Sequence, residues 1–186
     1  MSRVVSKEQY FEFGLEILAQ AGFKGLNIRV LVKGLGVTSG SFYHHFGSWQ
    51  GYVNALLEFW ENRQVVILRE MEFGVGTPDS NIEKLRQLTL GLHHEAEAAI
   101  RAWGANDEAV RAVQWRVDDA RRKTVQKAVQ GVTGDKDSAR AITSLGMAML
   151  VGYQQLSAAG HHDDFGQLLE EFVRLVYSHS GVEQPS

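Results

Sequence analysis

Two short helical segments joined by a tight turn place the strongest constraint on the fold of this chain. The first, IRVLVKGL, follows Asn27, a residue type that caps helices, and its apolar residues share one face. Gly36 ends it, and Thr38 can cap a second segment, SGSFYHHF, that begins three residues later. Two short helices on a glycine-containing turn predict a helix-turn-helix.

A further helix is predicted before this motif. Ser6 and Gln9 have the spacing of a capping box, and apolar residues continue at helical spacing from Tyr10 to Ala21. Gly22 is expected to end that helix. The start of the chain therefore predicts a three-helix head.

The remainder of the chain is also helical in pattern. Ser48 is expected to begin a long helix, two shorter helices follow, and another long helix is capped at Asn106 or Asp107. Two more helices reach the C-terminus. We therefore predict an all-α protein with a head over residues 1–47 and a helical bundle over residues 48–186.

Charge is divided unevenly between these two parts. Up to residue 47 there are five basic and three acidic residues, which gives +2, whereas the remainder has fourteen basic and nineteen acidic residues, which gives −5. This asymmetry is expected if only the head meets a polyanion.

The chain has no cysteine, so disulfides and thiolate metal sites are excluded. No apolar run approaches the roughly 20 residues that span a bilayer, and the N-terminus is too polar for a signal peptide, so we expect a cytoplasmic protein without membrane contact.

The second segment of the motif has the residue types that reading DNA requires. In a helix-turn-helix the start of the second helix faces base edges in the major groove, so small or polar residues are needed there. The segment begins with Ser39, Gly40 and Ser41. Phe42 and Phe46, four residues apart, are expected to pack inward, which leaves Tyr43 and His44 facing outward.

The run GLNIRVLVKGLGVTSGSFYHHF resembles the N-terminal DNA-binding signature of the TetR family of bacterial transcriptional regulators. The matching residues are Gly36, Val37, Thr38, Gly40, Phe42, Tyr43, His45 and Phe46. The resemblance implies a homodimer that binds double-stranded DNA at a palindromic operator and responds to a small molecule. We therefore expect a cytoplasmic repressor that its effector releases from the operator.

The expected DNA contacts follow from the motif and the resemblance together. Specificity is expected from the outward side chains, with backbone contacts from the turn and from the preceding helix. The expected DNA-binding residues are Arg29, Lys33, Thr38, Ser39, Gly40, Ser41, Tyr43 and His44. Since the second helix carries no long basic side chain, thymine methyl contacts and indirect readout gain importance.

The chain departs from the family pattern at three positions. Asn27 stands where the family has threonine, Val32 where it has alanine, and Trp49 where it has a lysine that commonly touches a phosphate. Loss of that lysine is expected to weaken salt-sensitive binding. It also supports an alternative interpretation, a helical-bundle sensor or interaction protein whose head has lost DNA binding.

The last two predicted helices carry apolar stripes. Ala139, Ile142, Gly146, Met149, Tyr153 and Leu156 follow a heptad spacing, and Phe165, Leu168, Phe172, Leu175 and His179 share one side of the next helix. In the TetR family the last two long helices form the dimer interface. The expected interface residues are Ile142, Gly146, Met149, Tyr153, Leu156, Leu168, Phe172 and Leu175. The alternative is that the stripes are intramolecular core.

The resemblance also implies a ligand pocket in the bundle. Large apolar side chains and a few polar ones are available to line it for a partly apolar effector. The expected residues are Trp60, Arg63, His93, Trp103, Gln114, Trp115 and Met147. The alternative for each is core packing.

Three histidine pairs raise the question of a metal site: His44 with His45, His93 with His94, and His161 with His162. Adjacent helical residues point about 100° apart and do not converge on one ion. The sequence also contains no nucleophile triad order and no phosphate-cradling glycine loop. We expect no metal, no cofactor and no enzymatic activity.

Overall fold

The computed structural model describes residues 5–72, 76–160 and 164–180, and within these ranges the chain forms nine helices and no strand. They are α1 (Lys7–Gly25), α2 (Ile28–Leu35), α3 (Ser39–Phe46), α4 (Trp49–Glu72), α5 (Pro78–Leu90), α6 (His94–Gly104), α7 (Glu108–Thr133), α8 (Lys136–Ala158) and α9 (Phe165–Ser178). The prediction of an all-α fold is confirmed. Across the described residues, no helix combines the length and the apolar character needed to cross a bilayer.

Side-chain caps fix where the first helices begin. The Ser6 hydroxyl accepts a hydrogen bond from the Gln9 backbone N–H at 3.3 Å, and the Gln9 side chain accepts one from the Ser6 N–H at 2.9 Å. The Asn27 side chain accepts from the Val30 N–H at 3.1 Å at the start of α2. Such bonds satisfy backbone donors that the first helical turn leaves free. Both predicted caps are confirmed.

Helix α1 ends three residues later than its sequence pattern indicates. Gly22 has a φ of 64° and interrupts the helical geometry, yet the chain resumes its helical path as far as Gly25. Glycine accepts this left-handed region without a Cβ clash, so the result is a kink instead of a helix end.

The predicted helix-turn-helix is present. Helix α2 ends at Gly36, whose φ of 67° and ψ of 34° are left-handed, and its N–H donates to the Lys33 and Val32 carbonyls. Thr38 caps α3 by accepting from the Ser41 N–H at 3.2 Å. Helix α3 therefore follows α2 after a turn of three residues, as the sequence predicts.

Caps also fix the starts of the later helices. Ser48 accepts from the Gly51 N–H at 2.9 Å before α4. The Asp107 carboxylate accepts from the N–H groups of Ala109 and Val110 at 3.0 and 3.2 Å, so Asp107 is the cap of α7. A carboxylate at this end also interacts favourably with the helix dipole.

The described residues form two compact units. The first contains the residues up to Gln64 together with His93–Arg116, and the second contains Val65–Leu92 and the residues from Val117 onward. Helices α4 and α7 therefore contribute to both units. The boundary predicted after residue 47 separates the DNA-binding head from the helical bundle, and it stays a prediction.

Helices α5, α7, α8 and α9 supply the core of the second unit. Its main buried cluster consists of Ile82, Ala128, Val129, Ala139, Ile142, Val176 and Tyr177. The Tyr177 hydroxyl donates to the Asp79 carboxylate at 2.5 Å. A second cluster contains Phe165, whose ring stacks on Tyr153 with centroids 4.1 Å apart. These clusters hold α9 within its own chain.

Candidate DNA-binding surface

Helix α3 is anchored to α1 and α4 by a cluster of aromatic rings. Phe42 is fully buried, and its ring centroid lies 6.1 Å from that of Tyr10 and 5.5 Å from that of Tyr52. Phe46 lies 5.0 Å from Tyr52 by the same measure. The Tyr52 hydroxyl donates to the Tyr10 carbonyl at 3.0 Å, and burial raises the pKa of this phenol. The inward face of α3 is thereby fixed.

Two glycines allow the close helix contacts around this cluster. A Cβ atom on Gly14 would lie 2.1 Å from the Tyr52 hydroxyl oxygen. A Cβ atom on Gly34 would lie 2.2 Å from a ring carbon of Phe13. Helices α4 and α2 therefore approach α1 at positions that leave no room for a side chain.

The opposite face of α3 is open to solvent. Tyr43 is 50% exposed, and Ser39, Gly40 and His44 are exposed as well. Ser41 differs, because it is half-buried and its hydroxyl accepts a hydrogen bond from the Tyr10 hydroxyl at 3.4 Å. This bond ties the first turn of α3 to α1 across 31 positions of sequence.

The N-terminus of α3 has the geometry of an anion-binding position. The first backbone N–H groups of a helix lack intrahelical partners, and the helix dipole is positive there. A Cβ atom on Gly40 would meet only the Thr38 hydroxyl oxygen, at an ordinary 3.6 Å. The backbone at this turn is therefore accessible to a phosphate without a side chain in the way.

The charge around α2 and α3 is more uneven than a total for the head suggests. Between Glu16 and Glu58 the sequence has no acidic residue, whereas it has three basic ones, Lys24, Arg29 and Lys33. We call residues 17–57 the acid-free segment. Arg29 and Lys33 are exposed on α2. A polyanion that approaches this segment meets no carboxylate from it.

Trp49 is a packing residue at the start of α4. Its ring stacks on Phe42 with centroids 6.4 Å apart and an interplanar angle of 24°, and it lies 5.5 Å from Tyr52. The side chain is half-buried. The resemblance leads one to expect a phosphate-binding lysine at this position. Trp49 instead adds a ring to the aromatic cluster.

Comparison with known proteins agrees with this geometry. Residues 12–56, which run from α1 into α4, match the family model described as bacterial regulatory proteins, tetR family. The start of the chain is therefore similar to the N-terminal segment of TetR-family regulators. The predicted resemblance to the TetR family is confirmed. No curated protein is significantly similar to the chain in sequence.

Solved structures of other proteins share the fold over nearly the whole chain. A TetR transcriptional regulator from Legionella pneumophila has a TM-score of 0.76 at 12% identity, covering 94% of this chain and 98% of its own. A transcriptional regulator from Rhodococcus sp. Rha1 has a TM-score of 0.75 at 17% identity, covering 97% and 100%. The reduced form of E. coli NemR has a TM-score of 0.70 at 20% identity, covering 92% and 95%. The fold shared with these structures thus covers at least 92% of the chain.

Six of the seven expected ligand-binding residues lie in the first unit. Trp60 and Gln114 are buried, His93 is exposed, and Trp115 is 66% exposed. Arg63 binds the Glu12 carboxylate through two hydrogen bonds of 2.9 and 3.1 Å.

Trp103, the sixth of these residues, stacks on Phe23 with centroids 6.2 Å apart. Two of the six therefore contact α1 directly. Arg63 pairs with Glu12, and Trp103 stacks on Phe23.

Met147, the seventh, lies in the second unit and lines a cavity of about 50 Å³ between α5, α7, α8 and α9. Residues of α5 and α9 that are not among the expected ligand-binding residues also line the cavity. The apolar periodicity of Ile82 and Leu85 on α5 was the available signal. The contact of the seven expected residues with an effector stays a prediction.

The expected dimer residues divide into packed and open ones. A Cβ atom on Gly146 would lie 2.6 Å from the Phe172 ring, so α8 and α9 touch within the chain at this point. Ile142 is buried, and Met149, Tyr153, Leu168 and Leu175 are half-buried against the two cores of the second unit. Leu156 is 48% exposed. Their role in a dimer stays a prediction.

A second apolar stripe, which shares only Leu156 with the heptad pattern, lies on the open side of α8. We call it the α8 stripe, and it consists of Ala141, Leu145, Ala148, Gly152 and Leu156. Leu145 is 58% exposed, and a Cβ atom on Gly152 would meet nothing within 4 Å. These small and apolar residues leave a smooth surface on that side of the helix.

Among the described residues, the histidine pairs do not belong to any group of potential metal ligands. In that part of the chain, no three histidine or carboxylate side chains lie close enough to hold one ion. The rings of His44 and His45 are 5.8 Å apart at an angle of 64°. The pair His161 and His162 lies outside the described residues.

Proposed function

We propose that this protein is a homodimeric, cytoplasmic transcriptional repressor that binds a palindromic operator and releases it when a small molecule binds. The observation that carries the proposal is the open face of α3, held by a buried aromatic cluster and surrounded by the acid-free segment. A TetR-family head and a TetR-like fold support it.

Recognition is proposed to occur in the major groove. Tyr43, His44 and Ser39 face base edges, and Ser41 is oriented by its bond to Tyr10. The Thr38 hydroxyl and the amides of Ser39 and Gly40 receive a phosphate, and Lys33 and Arg29 contact the backbone nearby. Two copies of α3 in a dimer would sit about 34 to 36 Å apart, or a multiple of this DNA turn.

Dimerisation is proposed to use α8 and α9 of each chain. The α8 stripe offers apolar surface that one chain leaves exposed, and the partly exposed residues of the predicted interface border it. Burying exposed leucines against a second copy removes apolar area from water. A twofold arrangement also matches a palindromic DNA site.

The effector is proposed to act by favouring a conformation in which the two heads no longer match the operator. Within the first unit, the Arg63–Glu12 pair joins α4 to α1, and the Trp103–Phe23 stack joins α6 to α1. A shift of α4 or α6 therefore reaches α1, to which α3 is anchored. Effector and DNA must weaken each other's binding by the same factor.

The test is fluorescence anisotropy with the protein's own upstream intergenic DNA and a scrambled duplex across a salt series. We expect specific binding by the wild type and a loss of roughly tenfold or more in specific affinity for Tyr43→Ala. Asn62→Ala removes an exposed side chain of the first unit on α4, away from α3, and serves as the control. Specific affinity that survives both Tyr43→Ala and Ser41→Ala contradicts the proposed reading face.

A second candidate function is a helical sensor or interaction protein whose head does not read DNA. The observation that favours it is Trp49, which is packed on Phe42 where a phosphate-binding lysine is expected. Equal and weak binding of both duplexes, unchanged by Tyr43→Ala, is the result that this candidate predicts.

A further inference from the structure

The cavity in the second unit has a mostly apolar lining, in which Thr89 and Arg86 are the polar residues within the described part of the chain. Its walls include Leu85, Met147, Leu150 and Phe172, from α5, α8 and α9. Arg86 is the one charged residue among those that line it in the described part of the chain. An apolar cavity with a single guanidinium group at its edge fits a ligand with an apolar body and an anionic end.

A polar depression adjoins this cavity. It is lined by Glu83, Arg86, Glu170, Val173 and Arg174, and Arg86 and Val173 line the cavity as well. The two spaces therefore meet along Arg86 and Val173. A ligand can occupy both only if its apolar and polar parts lie at opposite ends.

The size of the cavity limits the apolar part. A volume of about 50 Å³ corresponds to roughly four water-sized, and hence methylene-sized, positions. A short unbranched alkyl chain fits this space, and the two methionines in the lining, Met147 and Met149, have side chains that adapt to such a chain.

The guanidinium of Arg86 already holds a carboxylate in the required geometry. Its Nε and Nη2 atoms each donate to one oxygen of Glu83 at 2.9 Å. Hydrogen bonds from Arg86 and Gln87 lower the pKa of Glu83 to about 2, so this carboxylate stays charged. The Glu83 side chain is 55% exposed and can turn into solvent. Fork-shaped pairing of this kind is the arrangement in which arginine recognises carboxylates.

We propose that this site binds a small amphipathic carboxylate, with its alkyl chain in the cavity and its carboxylate on Arg86 in place of Glu83. The assignment of this molecule as the effector rests on the proposed function. Glu170 and Arg174 border the bound carboxylate from α9, and Arg174 is itself paired with Glu171. The site therefore selects a short-chain fatty acid over an alcohol or amine of equal length.

The test is isothermal titration calorimetry of the full chain without DNA, using hexanoate, hexan-1-ol and hexylammonium. We expect saturable binding of hexanoate, binding of the alcohol at least tenfold weaker, and no binding of the amine. From propanoate to hexanoate the affinity should rise about fourfold per methylene, the transfer free energy of one buried CH₂. Equal binding of acid and alcohol, or preferential binding of the amine, overturns the proposal.

Two variants separate a direct role of Arg86 from a structural one. Arg86→Gln should weaken hexanoate at least tenfold and leave the alcohol unchanged. Glu83→Gln removes the competing carboxylate, so hexanoate should bind several-fold more tightly. Arg140→Gln, an exposed arginine on α8, is the matched control. A Glu83→Gln protein that binds hexanoate no better than the wild type contradicts the displacement of Glu83.

The outcome is separable from that of the proposed function. Specific operator binding without hexanoate binding overturns the inference and leaves the regulator proposal standing. Hexanoate binding by a protein that reads no DNA supports the site and overturns its role as an effector site.

Discussion

Trp49 shows what one residue contributes to the head. Its ring covers Phe42 and Tyr52 at the start of α4, and both partners belong to the cluster that holds α3. Aromatic pairs of this kind add roughly 0.5 to 1.5 kcal/mol beyond the area they bury. An indole brings no charge to the DNA backbone, so this residue stabilises the reading surface without adding to its salt dependence.

Replacing Trp49 with lysine should lower the stability of the folded head and increase its electrostatic attraction to the DNA backbone. One new phosphate contact per chain, and hence two per dimer, should steepen the slope of log K against log salt by roughly two, while loss of the stacked ring lowers the melting temperature. Anisotropy over a salt series and thermal unfolding measure the two effects. Gln50→Lys adds the same charge at an exposed neighbour without removing the ring. A slope unchanged in Trp49→Lys would show that no phosphate lies near this position.

The sequence predicts much of this surface residue by residue, and the limits are physical. The four-residue spacing of Phe42 and Phe46 predicts the inward face of α3, because helical periodicity is local. The bond between Ser41 and Tyr10 joins residues 31 positions apart, which no local pattern encodes. The acid-free segment was readable from the sequence, although a charge total over the whole head conceals it.

Among the helices, α5 and α9 are joined by one short polar contact. The Tyr177 hydroxyl donates to Asp79 in the first turn of α5. Burial, and next the hydrogen bond to Asp79, raise the pKa of this phenol to about 12. The protonated form is therefore favoured in the folded chain relative to the unfolded chain.

This contact should appear in the alkaline limb of the stability curve. Below pH 10 the phenol is protonated in both states, so its contribution is complete. Between pH 10 and 12 only the unfolded chain releases the proton, so stability falls as the pH rises. Tyr177→Phe should make this fall shallower by at most about 1.4 kcal/mol per pH unit. Denaturant unfolding at several pH values measures it.

Ser178→Ala is the control for this measurement, because it removes an exposed, non-titrating hydroxyl at the next residue of α9. It should leave the alkaline slope unchanged. An identical slope for Tyr177→Phe and the wild type would show that Tyr177 titrates normally in the folded chain.

Helix starts were more predictable than helix ends. Ser6, Asn27, Thr38 and Ser48 all accept the hydrogen bonds that their residue types and positions indicate. The end of α1 was misplaced because glycine lowers helix propensity wherever it stands. Residues after Gly22 are held by contacts distant in sequence, such as the stack of Phe23 on Trp103.

For the whole molecule, the main question is which surface meets a second copy. The heptad stripe on α8 was correct in period, but a period does not identify the partner. The contact of Gly146 with Phe172 places part of that stripe against α9 of the same chain. The α8 stripe lies on the adjacent, more exposed side of the helix. Of its residues only Leu156 was predicted to lie in the interface, because alanines and a glycine give a weak apolar signal.

Charges on the α8 stripe should therefore separate a dimer. Leu145→Glu combined with Leu156→Glu should yield a monomer by sedimentation and weaken operator binding at least tenfold, because buried unpaired carboxylates are costly. Ser144→Glu places one charge on the same helix beside the stripe and should remain dimeric. A doubly substituted protein that sediments as a dimer would place the interface elsewhere.

The arrangement of α3 also bears on how such a regulator changes over evolutionary time. The residues that hold the helix, Phe42 and Phe46, lie on either side of Tyr43 and His44, which face outward. Under the proposed function, mutations at the outward positions would alter operator preference with little penalty in folding. After a gene duplication, a few such mutations are enough for one copy to control new genes while the fold and its response are inherited intact.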